Sequence, residues 1–223
     1  MDWSPILISM RTASLSILVT FFLGIFAAWR VIRLKNEKLK LIWDGILTLP
    51  LVLPPTVAGF FLLYIFGVKR PVGKFFLDYF SVKIAFSWIA TVLAAVVMSF
   101  PLMYRSARGA FEQVDENLPA AARTLGMSEW CIFRKVLFAN ALPGIVSGGV
   151  LAFARGLGEF GATAMIAGNI AGKTRTLPMA VYSEVAAGNI DAAYRYVAVI
   201  VAIAFLSVIL MNWAGLRADR KKR

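Results

Sequence analysis

Five apolar runs divide the chain, at about 6–31, 41–66, 84–103, 142–166 and 196–214. Each approaches or exceeds the roughly 20 residues that a helix needs to cross a bilayer. The pattern predicts an all-α polytopic membrane protein with about five transmembrane helices. Between the third and fourth runs lies the longest polar, helix-forming stretch, RSARGAFEQVDENLPAAARTLGMSEWCIFRKVLFANALP at 105–143.

Within that stretch, Pro119 suits the first position of a short helix, where its missing donor would be unpaired anyway. Gly126 is placed to end that helix in a left-handed conformation. Ser128 can cap a second short helix over 129–138, with Glu129 at its positive end. Two short helices around a tight turn make a surface that another protein can approach. An amphipathic element lying in the headgroups is the alternative.

Two of the runs carry interruptions. Pro50, Pro54 and Pro55 fall inside the second. Each removes a backbone donor, and a broken helix in lipid must face protein or a water-lined path. A simple kink in a packed helix is the competing reading. The fourth run holds Arg155 and Glu159, four apart and hence on one helix face. Charges at membrane depth line a polar route or staple a bundle. If the helix breaks at 156–158, Glu159 falls in a loop instead. In the third run, Trp88 and Tyr104 read as interfacial anchors. The segment 67–83 reads as a loop, resting its aromatic residues at the headgroups or gathering anions with its lysines and Arg70.

Charge orients the array. Arg30, Arg33, Lys35, Lys38 and Lys40 follow the first run, Arg105 and Arg108 follow the third, and 217–223 is strongly basic. Basic clusters mark the cytoplasmic side. The N-terminus is therefore expected outside and the C-terminus in the cytoplasm, with the 105–143 stretch cytoplasmic too. Met1, Asp2 and Trp3 supply no basic leader, so the first run is expected to be kept as a helix.

Composition agrees. The 223 residues are 60% hydrophobic and 16% charged, more apolar and less charged than a soluble domain. The net charge of +12 is spread over topology-setting clusters rather than one patch, so nucleic acid is not an expected partner. One cysteine, Cys131, and no histidine exclude an internal disulfide and a His/Cys metal set. No metal, cofactor or catalytic residue is expected in this chain. Gly172-Lys173-Thr174 ends like a phosphate loop, but Ala167 stands where that motif wants glycine. An intramembrane enzyme would need an activated base or nucleophile, and Ser147 and Ser207 have no evident partner. A non-transport membrane scaffold is the remaining alternative class.

The stretch PAAARTLGMSEWCIFRKVLFANALPG resembles the cytoplasmic EAA loop of ABC-type import permeases. Ala121, Ala122 and Gly126 match it, and Ala120 stands where the family has glutamate. LTLPLVLPPTVAGFFLL, AAVVMSFPLMYRSAR, LAFARGLGEFGAT and TRTLP extend the resemblance to the molybdate permease subunits of bacterial ABC importers, close to tungstate and sulfate permeases. The resemblance implies a type I ABC importer transmembrane fold in one permease domain over 1–223, with a coupling loop at 105–141. It implies a homodimer in the bacterial inner membrane. It also implies a cytoplasmic ATPase dimer that uses ATP and Mg, and an extracytoplasmic oxyanion-binding protein. Ala121, Ala122, Arg123, Gly126, Met127 and Ser128 are then the ATPase-coupling residues. Pro54, Pro55, Arg155 and Glu159 are the candidate path or gate.

Overall fold

The structure, a computed structural model, describes residues 2–222, with side chains through Trp213. The basic tail at 217–223 has its side chains outside the described residues. Among the described residues every regular element is helical. Four helical segments are long and apolar enough to cross a membrane. They are α1 (Ser4–Ile32), α5 (Trp88–Glu112), the segment Glu129–Leu157 and the part of α11 (Ile190–Lys222) up to Trp213. The fifth is a bent pair, α2 (Glu37–Val52) and α3 (Pro55–Phe66), which meet at 109°. At ~1.5 Å rise per residue neither half alone reaches across ~30 Å of hydrocarbon.

The seam between α1 and α5 is the main helix contact. Lipid tails are as apolar as leucine, so two helices gain little from hydrophobicity and associate through close packing and polar contacts. The buried face of α1 is a stripe at four-residue spacing: Thr12, Ser16, Thr20, Gly24 and Ala28. Thr12 shares a 2.8 Å hydrogen bond with Thr91 of α5, and Thr20 a 3.2 Å bond with Ser99. A Cβ on Gly24 would lie 2.7 Å from Met103 Cγ. The hydroxyls of Thr12 and Thr20 are therefore helix-to-helix contacts.

Around α5 gather two clusters. Its C-terminal half packs with Ile25 and Val31 of α1 and with Ala141 and Ile145 of α8 (Phe138–Leu157). Its N-terminal half packs with Ala58 and Leu62 of α3 and with Ala162 and Ile166 of α9 (Gly161–Ile166).

Several elements differ from the sequence reading. Residues 67–83 contain a helix, α4 (Pro71–Phe80), opened by proline in its first turn and closed by Ser81 at φ +54°. Phe75, Tyr79 and Phe80 are exposed on it. The third run continues as helix through Glu112. The second short helix is not separate from the fourth run: α7 (Glu129–Ile132) passes through a π-helical turn, Phe133–Leu137, into α8. The polar region after 166 holds α10 (Leu177–Ala186). There Thr174 is fully buried and accepts from the Ile170 amide at 3.0 Å, which closes its turn. Trp88 donates from Nε1 to Thr12 at 3.1 Å.

Tyr104 is fully buried, so it is no interfacial anchor. Its hydroxyl donates to Asp44 of α2 at 2.9 Å. Arg108 pairs with the same carboxylate and with Glu112 at 2.8 Å. This latch ties α2, none of whose residues is buried, to the end of α5. Replacing Asp44 with alanine strands the Tyr104 hydroxyl and leaves Arg108 with Glu112 alone. The expected cost is about 1–3 kcal/mol, read as a lower thermal midpoint of the purified protein. Tyr104→Phe, which leaves the Arg108 pair, is expected to lose less. An Asp44→Ala midpoint equal to wild type would show that the latch contributes nothing.

Candidate functional site

The predicted site residues fall into two groups, at opposite ends of the segment Glu129–Leu157. The first is the predicted coupling loop. Helix α6 (Asn117–Thr124) begins two residues before Pro119 and ends at Leu125. Gly126 follows at φ +75°. Its amide donates to Arg123 O at 3.0 Å, and the Met127 amide donates to Ala122 O at 3.1 Å. This is the paired reverse bonding of a Schellman turn, which satisfies two carbonyls that the helix leaves open. Nothing lies within 4 Å of a Cβ at Gly126, so glycine is required by the backbone and not by space. Ser128 then caps the next helix, accepting from the Cys131 amide at 3.3 Å.

The loop has an inner and an outer side. Ala122 is buried, and Met127 half-buried. Arg123 reaches across the turn to Glu129 at 2.8 Å, and the other oxygen of Glu129 accepts from Arg33, at the end of α1, at 3.4 Å. The Glu129 carboxylate pushes the Arg123 guanidinium pKa up, so its charge is held firmly. Trp29, Trp130 and Phe133 form an aromatic cluster behind the turn, with Arg33 over the Trp29 ring. Facing away, Ala121, Gly126 and Ser128 are exposed, and Leu125 is 81% exposed at the tip. An exposed leucine at the tip of this turn is apolar area that a docking partner can remove from water. Sequence reading passed over Leu125. The signal was there, an apolar residue directly before the αL glycine.

The second group is a double break. α2 ends at Leu53, and Pro54 and Pro55 open α3. Pro54 O accepts from Val57 and Ala58. The fourth run breaks at Gly158, and α9 restarts at Gly161. Glu159 lies in this gap with its side chain 2% exposed. One oxygen accepts from Arg155 at 2.6 Å, and the other from the Ala162 amide at 2.8 Å. The carboxylate thus joins the end of α8 to the start of α9.

The two breaks touch. A Cβ on Gly161 would lie 2.8 Å from Pro55 Cβ, and one on Gly59 would lie 2.7 Å from Ala162 Cα. Pro55 is half-buried at this contact and Pro54 exposed beside it. Four residues chosen from separate runs, Pro54, Pro55, Arg155 and Glu159, therefore belong to one joint. Sequence reading missed its glycine at 59 and the lone acid Asp44 of the neighbouring latch. Asp44 was detectable as an isolated charge in an apolar stretch. Among the described residues no three His, Cys, Asp or Glu side chains gather as a metal cluster.

Gly59→Ala must push α3 off the α9 backbone. A loss of about 1–3 kcal/mol is expected, visible as a lower melting midpoint. Retention of the wild-type midpoint would mean that the joint relaxes without strain.

Comparison with known proteins places this geometry. Residues 20–223 match the family of binding-protein-dependent transport system inner membrane components. The chain is 44% identical to the molybdenum transport system permease protein ModB of Escherichia coli strain K12, over 99% of this chain and 96% of that protein. It is 33% identical to the "Probable sulfate transport system permease protein cysT" of Chlorokybus atmophyticus, over 81% of this chain and 63% of that protein. Its fold is similar to that of the MetNI methionine ABC transporter in an inward-facing crystal form, with a TM-score of 0.68 at 18% identity, covering 94% of each chain. Carrying the apolar helices of a multi-pass membrane protein, this chain belongs to the binding-protein-dependent transport system inner membrane components.

Proposed function

We propose that this chain is the permease subunit of an ATP-driven ABC importer for a tetrahedral oxyanion, molybdate first. The observation that carries the reading is mechanical. The exposed Schellman turn at 121–128 is mounted on the end of the continuous helical segment Glu129–Leu157, whose far end is the double break. A partner that grips the turn moves the joint. The near full-length similarity to a molybdenum permease supports molybdate. The similarity to a sulfate permease supports sulfate as the second substrate, since the two ions share charge and tetrahedral shape.

In this reading two copies enclose the path about a twofold axis. The apolar face of α2, including Leu41, Ile42 and Ile46, is exposed in the single chain and available to the second copy or to lipid. A cytoplasmic ATPase dimer seats Leu125 and Gly126 and supplies ATP and Mg. An extracytoplasmic binding protein delivers the oxyanion. The N-terminus lies outside and the C-terminus in the cytoplasm. ATP draws the coupling turns together and opens the joint outward, and hydrolysis returns it. Glu159 saturates the nearest guanidinium nitrogen of Arg155, so the pair shapes the gate more than it attracts the ion.

Three measurements test this. ATP hydrolysis by the reconstituted complex is expected to rise with molybdate-loaded binding protein. Failure of molybdate, tungstate and sulfate alike would overturn the importer reading. Gly126→Asp, which puts a carboxylate on the exposed face of the turn at φ +75°, is expected to abolish co-purification of the ATPase and uptake. Intact assembly with intact uptake would remove the turn from coupling. Arg155→Ala is expected to cut uptake at least tenfold, and adding Glu159→Gln should recover part of it by discharging the stranded carboxylate. Unchanged uptake in the single variant would take the pair out of the mechanism.

A further inference from the structure

A cavity of about 670 Å³ opens where the last turns of α5, the first half of α8 and the 113–118 lead-in to α6 meet, with Met211 of α11 beside it. None of the residues considered so far as coupling or gate lines it. Gly148 of α8 lies so close to α5 that a Cβ there would overlap Ser106. The cavity opens beside this contact.

Its wall has an unusual donor set. Ser106 and Ser147 both line it, from facing helices. Hydroxyls within helices ordinarily bond back to the preceding turn, as Ser16, Thr91 and Ser207 do here. Ser106 and Ser147 make no such bond and have no other partner among the described residues. Gln113 is likewise free. Arg105 lines the same wall, exposed and without an ion pair, although Arg108 one turn on is fully engaged. The opposing charge is Asp115, whose carboxylate already accepts from the Asn117 amide at 2.9 Å. Asn140 has spent an N–H on Val136 O at 2.7 Å.

One unpaired guanidinium with three free neutral donors suits an anion whose acceptor oxygens point in several directions. A guanidinium fork takes two oxygens of a tetrahedral oxyanion, and hydroxyl and amide groups can take the others. At about 30 Å³ per water the cavity has room for the ion with much of its hydration shell. A single cation faced by a carboxylate binds weakly, which suits a place from which an ion departs.

We propose that this cavity is a release-side oxyanion site, with Arg105 as its cation and Ser106, Ser147 and Gln113 as its neutral donors. It rests on the importer reading, which puts this end of α5 and α8 in the cytoplasm. The same chemistry would hold the phosphate of a lipid headgroup, and the test separates the two sources.

The reporter is Gly109→Cys in a Cys131→Ser background. Gly109 lines the cavity, and nothing lies within 4 Å of a Cβ there. The permease–ATPase complex is placed in phosphatidylcholine nanodiscs and the rate of modification by an anionic thiol reagent is followed. Molybdate is expected to slow it at least fivefold, and chloride at equal ionic strength to have no such effect. Arg105→Ala should raise the half-protecting molybdate concentration at least tenfold, and Arg105→Lys by less. If molybdate gives no protection in the unsubstituted complex, the proposal fails whatever the Arg105 variants do. Protection by phosphatidylglycerol nanodiscs alone, with molybdate adding none, would assign the cavity to a headgroup and equally overturn it. ATP-driven molybdate uptake is measured in parallel. Normal uptake without protection refutes the cavity site only, whereas absence of uptake for every oxyanion refutes the importer reading.

Discussion

A peptide group in hydrocarbon has no water to bond to, so a helix that breaks there must find its partners in protein. This chain breaks twice within apolar runs, and the two breaks lie against each other. The side at α3 needs few partners, because Pro54 and Pro55 have no N–H to satisfy and Pro54 O is taken up by α3 itself. The side at α9 is completed by Glu159, which accepts from the Ala162 amide and from Arg155. A carboxylate at that depth is costly alone. Here both oxygens are used, so the charge that looks functional is also what closes the backbone. Glycines at 59 and 161 let the two broken ends approach.

The rest of the bundle is arranged to hold this joint. α5 is the mast, gripping α1 through hydroxyls and small residues and carrying α8 and α9 on its other faces. The joint is in turn connected to the turn at 121–128 by unbroken helix from 129 to 157, with a π-helical turn near its start. At the same end, Glu129 binds Arg123 and Arg33, so this turn is fastened to the end of α1 as well as to its own helix. Force applied at 121–128 has two stiff routes into the membrane-spanning part.

Much of this was legible in the chain. Apolar length predicted the crossings because the bilayer sets a fixed requirement. The turn at Gly126 and the cap at Ser128 were readable because a left-handed residue and a helix N-cap are local problems, solved by residue type. Spacing put Arg155 and Glu159 on one helix face, but α8 ends at Leu157 and Glu159 pairs from the gap, as the alternative break at 156–158 had it. The elements that went unread were those whose partners are distant. Tyr104 has the composition of an interfacial anchor, and only Asp44, 60 residues away in sequence, makes it a buried latch. Thr12 and Thr20 look like polarity near a helix start until α5 supplies Thr91 and Ser99. α4 was hidden because proline and glycine in 67–83 mimic a loop, and the π-helical turn because nothing in FRKVL announces an extra residue per turn.

By itself the sequence determined the solvent this protein lives in, the number of apolar runs, the places where helices could not continue, and the local geometry of the turn at Gly126. Each follows from short-range steric or solvation rules that act on a few adjacent residues. Only the tertiary structure decided that the proline break and the glycine break are one joint, that a carboxylate seals it, and that donors from facing helices line one cavity beside the 113–118 segment. Those facts depend on which helix faces meet, and helix association in lipid is settled by small differences in close packing that no single segment encodes.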